Sequence, residues 1–226
     1  MKKQIISLMT ALFALLCILT LTACGSNAAA PQSSAPASPQ ETPVKNDVKD
    51  LKGKKILIAY FSRTGENYQV GNITKGNTHI VADMIAKETG GTLFEIRPSR
   101  PYPVSYKETT EIAKKELSQG ARPELAEKVS DFARYDVIFL GYPIWWNDLP
   151  MPVYTFLESY DFSGRTIIPF VTSAGDVLSG KENTLPTYAK GASVAKGIGI
   201  EGKRAQQQPR SVEPQIHEWL KGLGII

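Results

Sequence analysis

From Lys55 onward the apolar residues fall into short unbroken runs that alternate with runs spaced three and four apart, the pattern of buried parallel strands and one-sided helices. Ile56 to Phe61 is the strongest strand, bounded by lysines on one side and a Ser-Arg-Thr-Gly turn on the other. Asn77 or Thr78 can cap a helix that puts Ile80, Val81, Met84 and Ile85 on one face, and Gly90 supplies its stop. Thr92 to Ile96 follows as a second strand. Tyr106 to Gln119 reads as a polar helix with Ile112 and Leu117 inward, and Pro123 to Phe132 as its restart, since proline is tolerated in a first turn. Val137 to Leu140 is a third strand, Pro150 to Ser159 a helix that groups Val153, Phe156 and Leu157, and Thr166 to Val171 a fourth strand. Pro169 removes a ladder donor from that strand and argues there for an edge or a bulge. Ser193 to Ile200 is a weak fifth strand thinned by Gly197 and Gly199. Ser211 caps a final helix with Val212, Ile216, Trp219, Leu220 and Leu223 on one stripe. This alternation predicts an α/β fold whose parallel sheet is covered by helices on both faces.

Residues 1–50 follow another pattern. Lys2 and Lys3 precede an apolar run from Ile5 to Leu21, the layout of a secretory signal, and the run ends in Leu-Thr-Ala-Cys-Gly, which resembles a bacterial lipobox. Residues 1–23 are therefore expected to be a signal peptide and Cys24 the lipidated N-terminus. Residues 24–50, rich in Ala, Ser, Pro and Gln, read as a disordered tether, and residues 51–226 as the folded domain. An uncleaved membrane span is the alternative, but the run is short of the ~20 residues a span needs. The expected location is outside the cytoplasm, at the bacterial cell membrane.

The cysteines, Cys17 and Cys24, both precede the domain, so it contains no disulfide and no thiolate metal site. The formal charge of +4 includes Lys2 and Lys3, and no basic cluster interleaves with aromatics, which argues against nucleic acid as a partner. His79 and His217 have no second ligand at metal spacing and are expected to face solvent.

In an open parallel sheet, ligands bind beyond the carboxyl ends of the strands, so the segments after the first, third and fourth strands belong together. Ser62, Arg63, Thr64 and Gly65 offer hydroxyls and backbone N–H groups beside a helix N-terminus, which suits an anion. Gly141 to Asp148 contains Trp145 and Trp146. Strand neighbours point to opposite sides, so at least one of these rings is expected to face a cleft, where a flat heteroaromatic ligand could stack on it. Ser173, Ala174 and Gly175 are small enough to let backbone amides approach a ring edge. Tyr102, Pro103 and Tyr106 read as packing over a helix start rather than as a wall of that cleft.

SRTGEN, GYPIWW and TSAG, in that order, resemble the phosphate loop and the two flavin loops of the flavodoxin-like family, and the likeness runs from about Lys55 to the C-terminus. The resemblance implies a doubly wound five-stranded sheet in the order 2-1-3-4-5 and FMN as the cofactor. It further implies that Ser62, Thr64, Asn77 and Thr78 hold the FMN phosphate, with Arg63, Gly65 and Asn67 as further candidates. Pro143, Ile144, Trp145, Trp146 and Asn147 would embrace the isoalloxazine, with Trp145 or Trp146 stacked, and Ser173, Ala174 and Gly175 would line its pyrimidine side. Glu66 to Lys75 splits the phosphate loop and leaves open which of Asn67 and Asn77 reaches the phosphate.

Three uses of such a site remain open. The preferred one is an electron carrier serving a membrane-associated redox chain through an unidentified partner protein. The others are an FMN-dependent reductase of quinones or other small acceptors, and a flavin-binding module without turnover. A second GxGxxG fingerprint is missing from the sequence, which disfavours a dedicated NAD(P)H domain.

Overall fold

The computed structural model describes residues 51–226. The expected signal peptide, lipidated Cys24 and tether lie outside the described residues.

The main sheet is built on β1 (Ile56–Tyr60), with β4 (Thr92–Glu95) parallel to it on one side and β5 (Val137–Pro143) on the other. β6 (Thr166–Ser173) pairs with β5, and β7 (Ser193–Val194) and β8 (Ile198–Glu201) both pair with β6, again in parallel. The order β4-β1-β5-β6-β7 is the expected 2-1-3-4-5 arrangement, with the fifth strand broken in two. Pro169 explains the break. It pairs in register with Leu140 of β5, while its carbonyl faces Gly197, in the gap between β7 and β8. The missing donor therefore costs nothing on the β5 side and coincides with an interrupted ladder on the other.

Alternate residues of each strand feed opposite cores. Leu57, Ala59, Ile138, Leu140 and Ile167 pack with Val153, Phe156 and Leu157 of α3 (Met151–Glu158), and Leu185 of the short α4 (Leu185–Tyr188) joins the same core. Ile58, Tyr60, Phe139, Ile168 and Phe170 meet Val81 and Ile85 of α1 (Asn77–Thr89) and Val212, Ile216 and Leu220 of α6 (Pro209–Gly222). Each large side chain so enclosed contributes roughly 1.5–3 kcal/mol.

Several local expectations are corrected. Pro123 to Phe132 is not a helix: Ser99 N–H bonds Glu124 O at 2.7 Å and Ala126 N–H bonds Arg97 O at 2.8 Å, so the segment runs extended beside residues 97–99. Only a short 3₁₀ turn at Phe132–Arg134 remains. α2 (Tyr106–Gln119) has the expected bounds but buries Thr109 and Ala113, leaving Ile112 exposed. α6 begins at Pro209, so Ser211 lies inside it and its hydroxyl bonds back to Gln208 O at 2.7 Å. His217 is half exposed and pairs with Glu88, whereas His79 packs its ring on Tyr60 at 4.9 Å.

Candidate functional site

β1 ends at Tyr60, and α1 begins at Asn77 with its N-terminus aimed past the carboxyl edge of the sheet. Neither Asn77 nor Thr78 caps the helix; Gly76 is the N-cap residue and offers no side chain. The cap comes from the far side of the loop, where Ser62 Oγ accepts the His79 N–H at 3.1 Å. Gly76 is required there, because a Cβ would overlap Ser62 Oγ and would lie 2.6 Å from Arg63 O. The Asn77 and Thr78 N–H groups belong to the first turn and have no intrahelical acceptor. Ser62 keeps its own proton to donate.

The insertion that splits this loop is a hairpin of β2 (Gly65–Asn67) and β3 (Gly71–Ile73), with Gln69 at φ 61 in its turn. Arg63 fastens the hairpin's base: its guanidinium donates to Glu66 O, to Pro103 O at 3.1 Å and to Val104 O at 2.7 Å. Burial lowers its pKa from the ordinary value, and Glu66 opposes that shift. Asn67 Nδ2 likewise donates to Arg63 O at 3.2 Å and Gly65 O at 3.1 Å. Gly65 lies at φ 83, and a Cβ there would lie 2.9 Å from Val104 O.

The two tryptophan side chains point apart, but through a turn rather than strand alternation. β5 stops at Pro143, and Trp145 and Asp148 exchange both backbone hydrogen bonds, at 2.9 and 3.0 Å, across Trp146 (φ 53) and Asn147 (φ 58). Two successive positive φ values make a type I′ reversal, which throws consecutive side chains apart. Trp145 turns inward, edge-on to Phe61 at 5.2 Å and Tyr102 at 5.1 Å. Trp146 is 51% exposed, with its Nε1–H on Thr110 O at 3.1 Å and Lys114 over its ring at 5.3 Å. Asp148 holds the base of the turn by accepting Tyr154 O–H at 2.5 Å and the Leu149 N–H at 2.8 Å and by pairing with Lys181 at 3.3 Å.

At the end of β6, the Ser173 hydroxyl closes a local turn with the Gly175 carbonyl at 2.7 Å and amide at 3.2 Å. These segments converge on a cleft of about 460 Å³. Of the expected residues, Asn67, Asn77, Pro143, Ile144, Trp145, Trp146, Asn147, Ser173, Ala174 and Gly175 line it. Ser62, Thr64, Gly65 and Thr78 stand outside its wall, and Arg63 lines an adjoining hollow of about 400 Å³ beside α2. Thr78 is buried, its hydroxyl 2.8 Å from that of Thr172. The wall also includes Tyr68, Tyr106 and Lys203. Tyr68 and Tyr106 stack at 6.1 Å, so Tyr106 both opens α2 and faces the cleft. Tyr68 and Lys203 were missed because neither belongs to the three strand-end segments, and only the hairpin fold and the start of α5 (Gly202–Gln207) deliver them.

The arrangement has an anion-accepting helix entry, an aromatic turn and a small-residue edge around one cleft. Residues 55–219, well over half of the chain, match the profile of a family described as Flavodoxin. The chain belongs to the flavodoxin family. Among solved structures, this flavodoxin-family chain is similar to a Bacteroides uniformis flavoprotein with 34% identity, TM-score 0.59, and coverage of 75% of this chain and 99% of the other. A Bacteroides eggerthii flavoprotein gives 28% identity, TM-score 0.60, and coverage of 75% and 98%. A Lactobacillus acidophilus flavoprotein in complex with FMN gives 25% identity, TM-score 0.50, and coverage of 69% and 99%. No curated protein gives a significant match.

Proposed function

We propose that this chain is an FMN-binding electron carrier, exported and held at the outer face of a membrane by lipid on Cys24. The observation that carries the cofactor reading is the single cleft of about 460 Å³ onto which the helix entry, the aromatic turn and the β6 edge converge. FMN has matching parts in the same order: a phosphate, a chain of hydroxyls and a flat heteroaromatic ring. A relative 25% identical to this chain binds FMN.

The residues fit the group. Asn77 Oδ1 is buried without a hydrogen-bond partner, which is costly unless a ligand completes it. A ribityl hydroxyl supplies that donor, and with the amide turned over the same position offers an N–H to a phosphate oxygen. The phosphate would lie at the Asn77 end of the cleft and reach past its wall to the Thr78 N–H and the Ser62 O–H at the α1 entry, helped by the α1 dipole. Trp146 offers its exposed face to the ring and excludes water from it, while Ser173 to Gly175 bring backbone close to the ring edge. Bound FMN supplies one- and two-electron redox chemistry through its ring.

Among the described residues, the cleft wall holds no carboxylate, imidazole or thiol. Its titratable side chains are Tyr68, Tyr106 and Lys203, and the rest of the wall serves to position a cofactor and tune it, which supports a carrier. The membrane reading rests on the Leu-Thr-Ala-Cys-Gly sequence that ends the apolar run. Reductive titration of the purified flavoprotein tests the role. Two well-separated one-electron steps support the carrier; a single two-electron step, with rapid turnover of a quinone, supports the reductase.

A further inference from the structure

The cleft wall carries one charged side chain, Lys203, and no Asp or Glu. Lys203 follows Gly202, and Gly202 sits where α5 is pressed onto the entry of α1: a Cβ there would lie 2.5 Å from Asn77 Nδ2 and 3.4 Å from Ser173 O. The α5 backbone is thus seated against Asn77, the residue that opens α1. Neighbouring cations are already engaged. Arg63 holds three carbonyls, Lys75 pairs with Asp83, Lys181 pairs with Asp148 at 3.3 Å and Arg204 pairs with Asp176 at 2.7 Å. Lys203 takes part in no ion pair among the described residues, and its side chain is exposed.

We propose that Lys203 is the counter-ion of the FMN phosphate, a cation supplied from outside the phosphate loop that closes that end of the cleft from the α5 side. The inference rests on the FMN reading above. A phosphate monoester carries roughly −1.5 to −2 at neutral pH, whereas a helix N-terminus compensates only about half a charge. Hydroxyls and amides solvate the remainder without neutralising it. In a cleft wall free of carboxylates, an unengaged ammonium is drawn to the one anionic part of the ligand. Lys203 therefore selects the phosphorylated flavin over riboflavin, and it makes that selection sensitive to salt.

The test is a fluorescence titration of the purified full chain, stripped of flavin, with FMN and with riboflavin at low and high salt. Wild type is compared with Lys203→Met and Lys203→Arg. Lys203→Met is expected to weaken FMN about tenfold, to leave riboflavin unchanged and to flatten the salt dependence, and Lys203→Arg to restore most of the loss. Unchanged FMN affinity in Lys203→Met overturns the assignment, as does an equal loss for FMN and riboflavin, which would put the charge at the ring. Wild type that binds neither flavin overturns the FMN reading itself, a result distinct from any difference between the variants.

Discussion

The hydroxyls of Thr78 and Thr172 meet at 2.8 Å, and both residues are buried, so the first turn of α1 is pinned to the carboxyl end of β6. This contact sets the spacing between the α1 entry and the β6 edge of the cleft. Thr78→Val leaves the Thr172 hydroxyl buried without a partner and is expected to cost about 1–3 kcal/mol. Thr78→Val with Thr172→Val removes both polar groups and is expected to cost less than the sum of the single changes. Urea unfolding of the four proteins measures the coupling.

Trp145 and Trp146 should fail in different ways. Trp146→Ala removes an exposed ring that faces the cleft and is expected to weaken FMN by roughly 1–3 kcal/mol with little change in the stability of the flavin-free protein. Trp145→Ala removes a ring packed edge-on against Phe61 and Tyr102 and is expected to destabilise the fold by about 3 kcal/mol. Flavin titration and thermal unfolding of both variants separate the two effects.

Gly76→Ala tests the helix entry. The added Cβ collides with Ser62 Oγ and crowds Arg63 O, so the Ser62 cap on His79 must open. An overpacking cost of about 1–3 kcal/mol is expected, together with a loss of FMN affinity larger than the loss for riboflavin.

Glu116 gives a pH dependence of defined sign. Burial raises its carboxyl pKa above the ordinary value, and the hydrogen bond from Tyr102 O–H at 2.5 Å only partly offsets this. The folded state therefore holds the Glu116 proton to higher pH than the unfolded chain, and its contribution to stability falls as pH rises from the unfolded value, about 4.3, through the raised one. Glu116→Gln removes that slope. The stability difference between Glu116→Gln and wild type should shift in favour of the variant as pH rises through that window, measured by unfolding at a series of pH values.

Both cores and the bounds of α2 were readable because strand runs and helical spacing are local records of burial, whereas the sheet order came from the family resemblance. Eight cleft residues, Pro143 to Asn147 and Ser173 to Gly175, were readable because ligand sites of open parallel sheets lie at strand ends, whereas Asn67 and Asn77 came from the family resemblance and Ser62 to Gly65, after β1, stand outside the wall. What failed was non-local. Pro123 looks like a helix start, but residues 124–126 find backbone partners at 97–99, which no spacing records. The contrast between Trp145 and Trp146 was expected from strand alternation and instead comes from a turn with two positive φ values, at residues that do not ordinarily take them. Lys203 reaches the cleft through the close approach of Gly202 to Asn77, a contact invisible along the chain.

Attachment through Cys24 is tested by Cys24→Ser in the native host. Release from the membrane fraction, or accumulation of unprocessed precursor, is expected. Fully processed protein that remains in the membrane fraction would contradict it.

The central claim is that one cleft holds FMN, phosphate toward α1 and ring toward the Trp146 turn, and a crystal structure of the protein saturated with FMN tests it most directly. The expected density places the phosphate against Ser62 and the Asn77 and Thr78 amides, with the ring between Trp146 and residues 173–175. Density for FMN elsewhere on the surface, or an empty cleft at saturating FMN, would contradict the account.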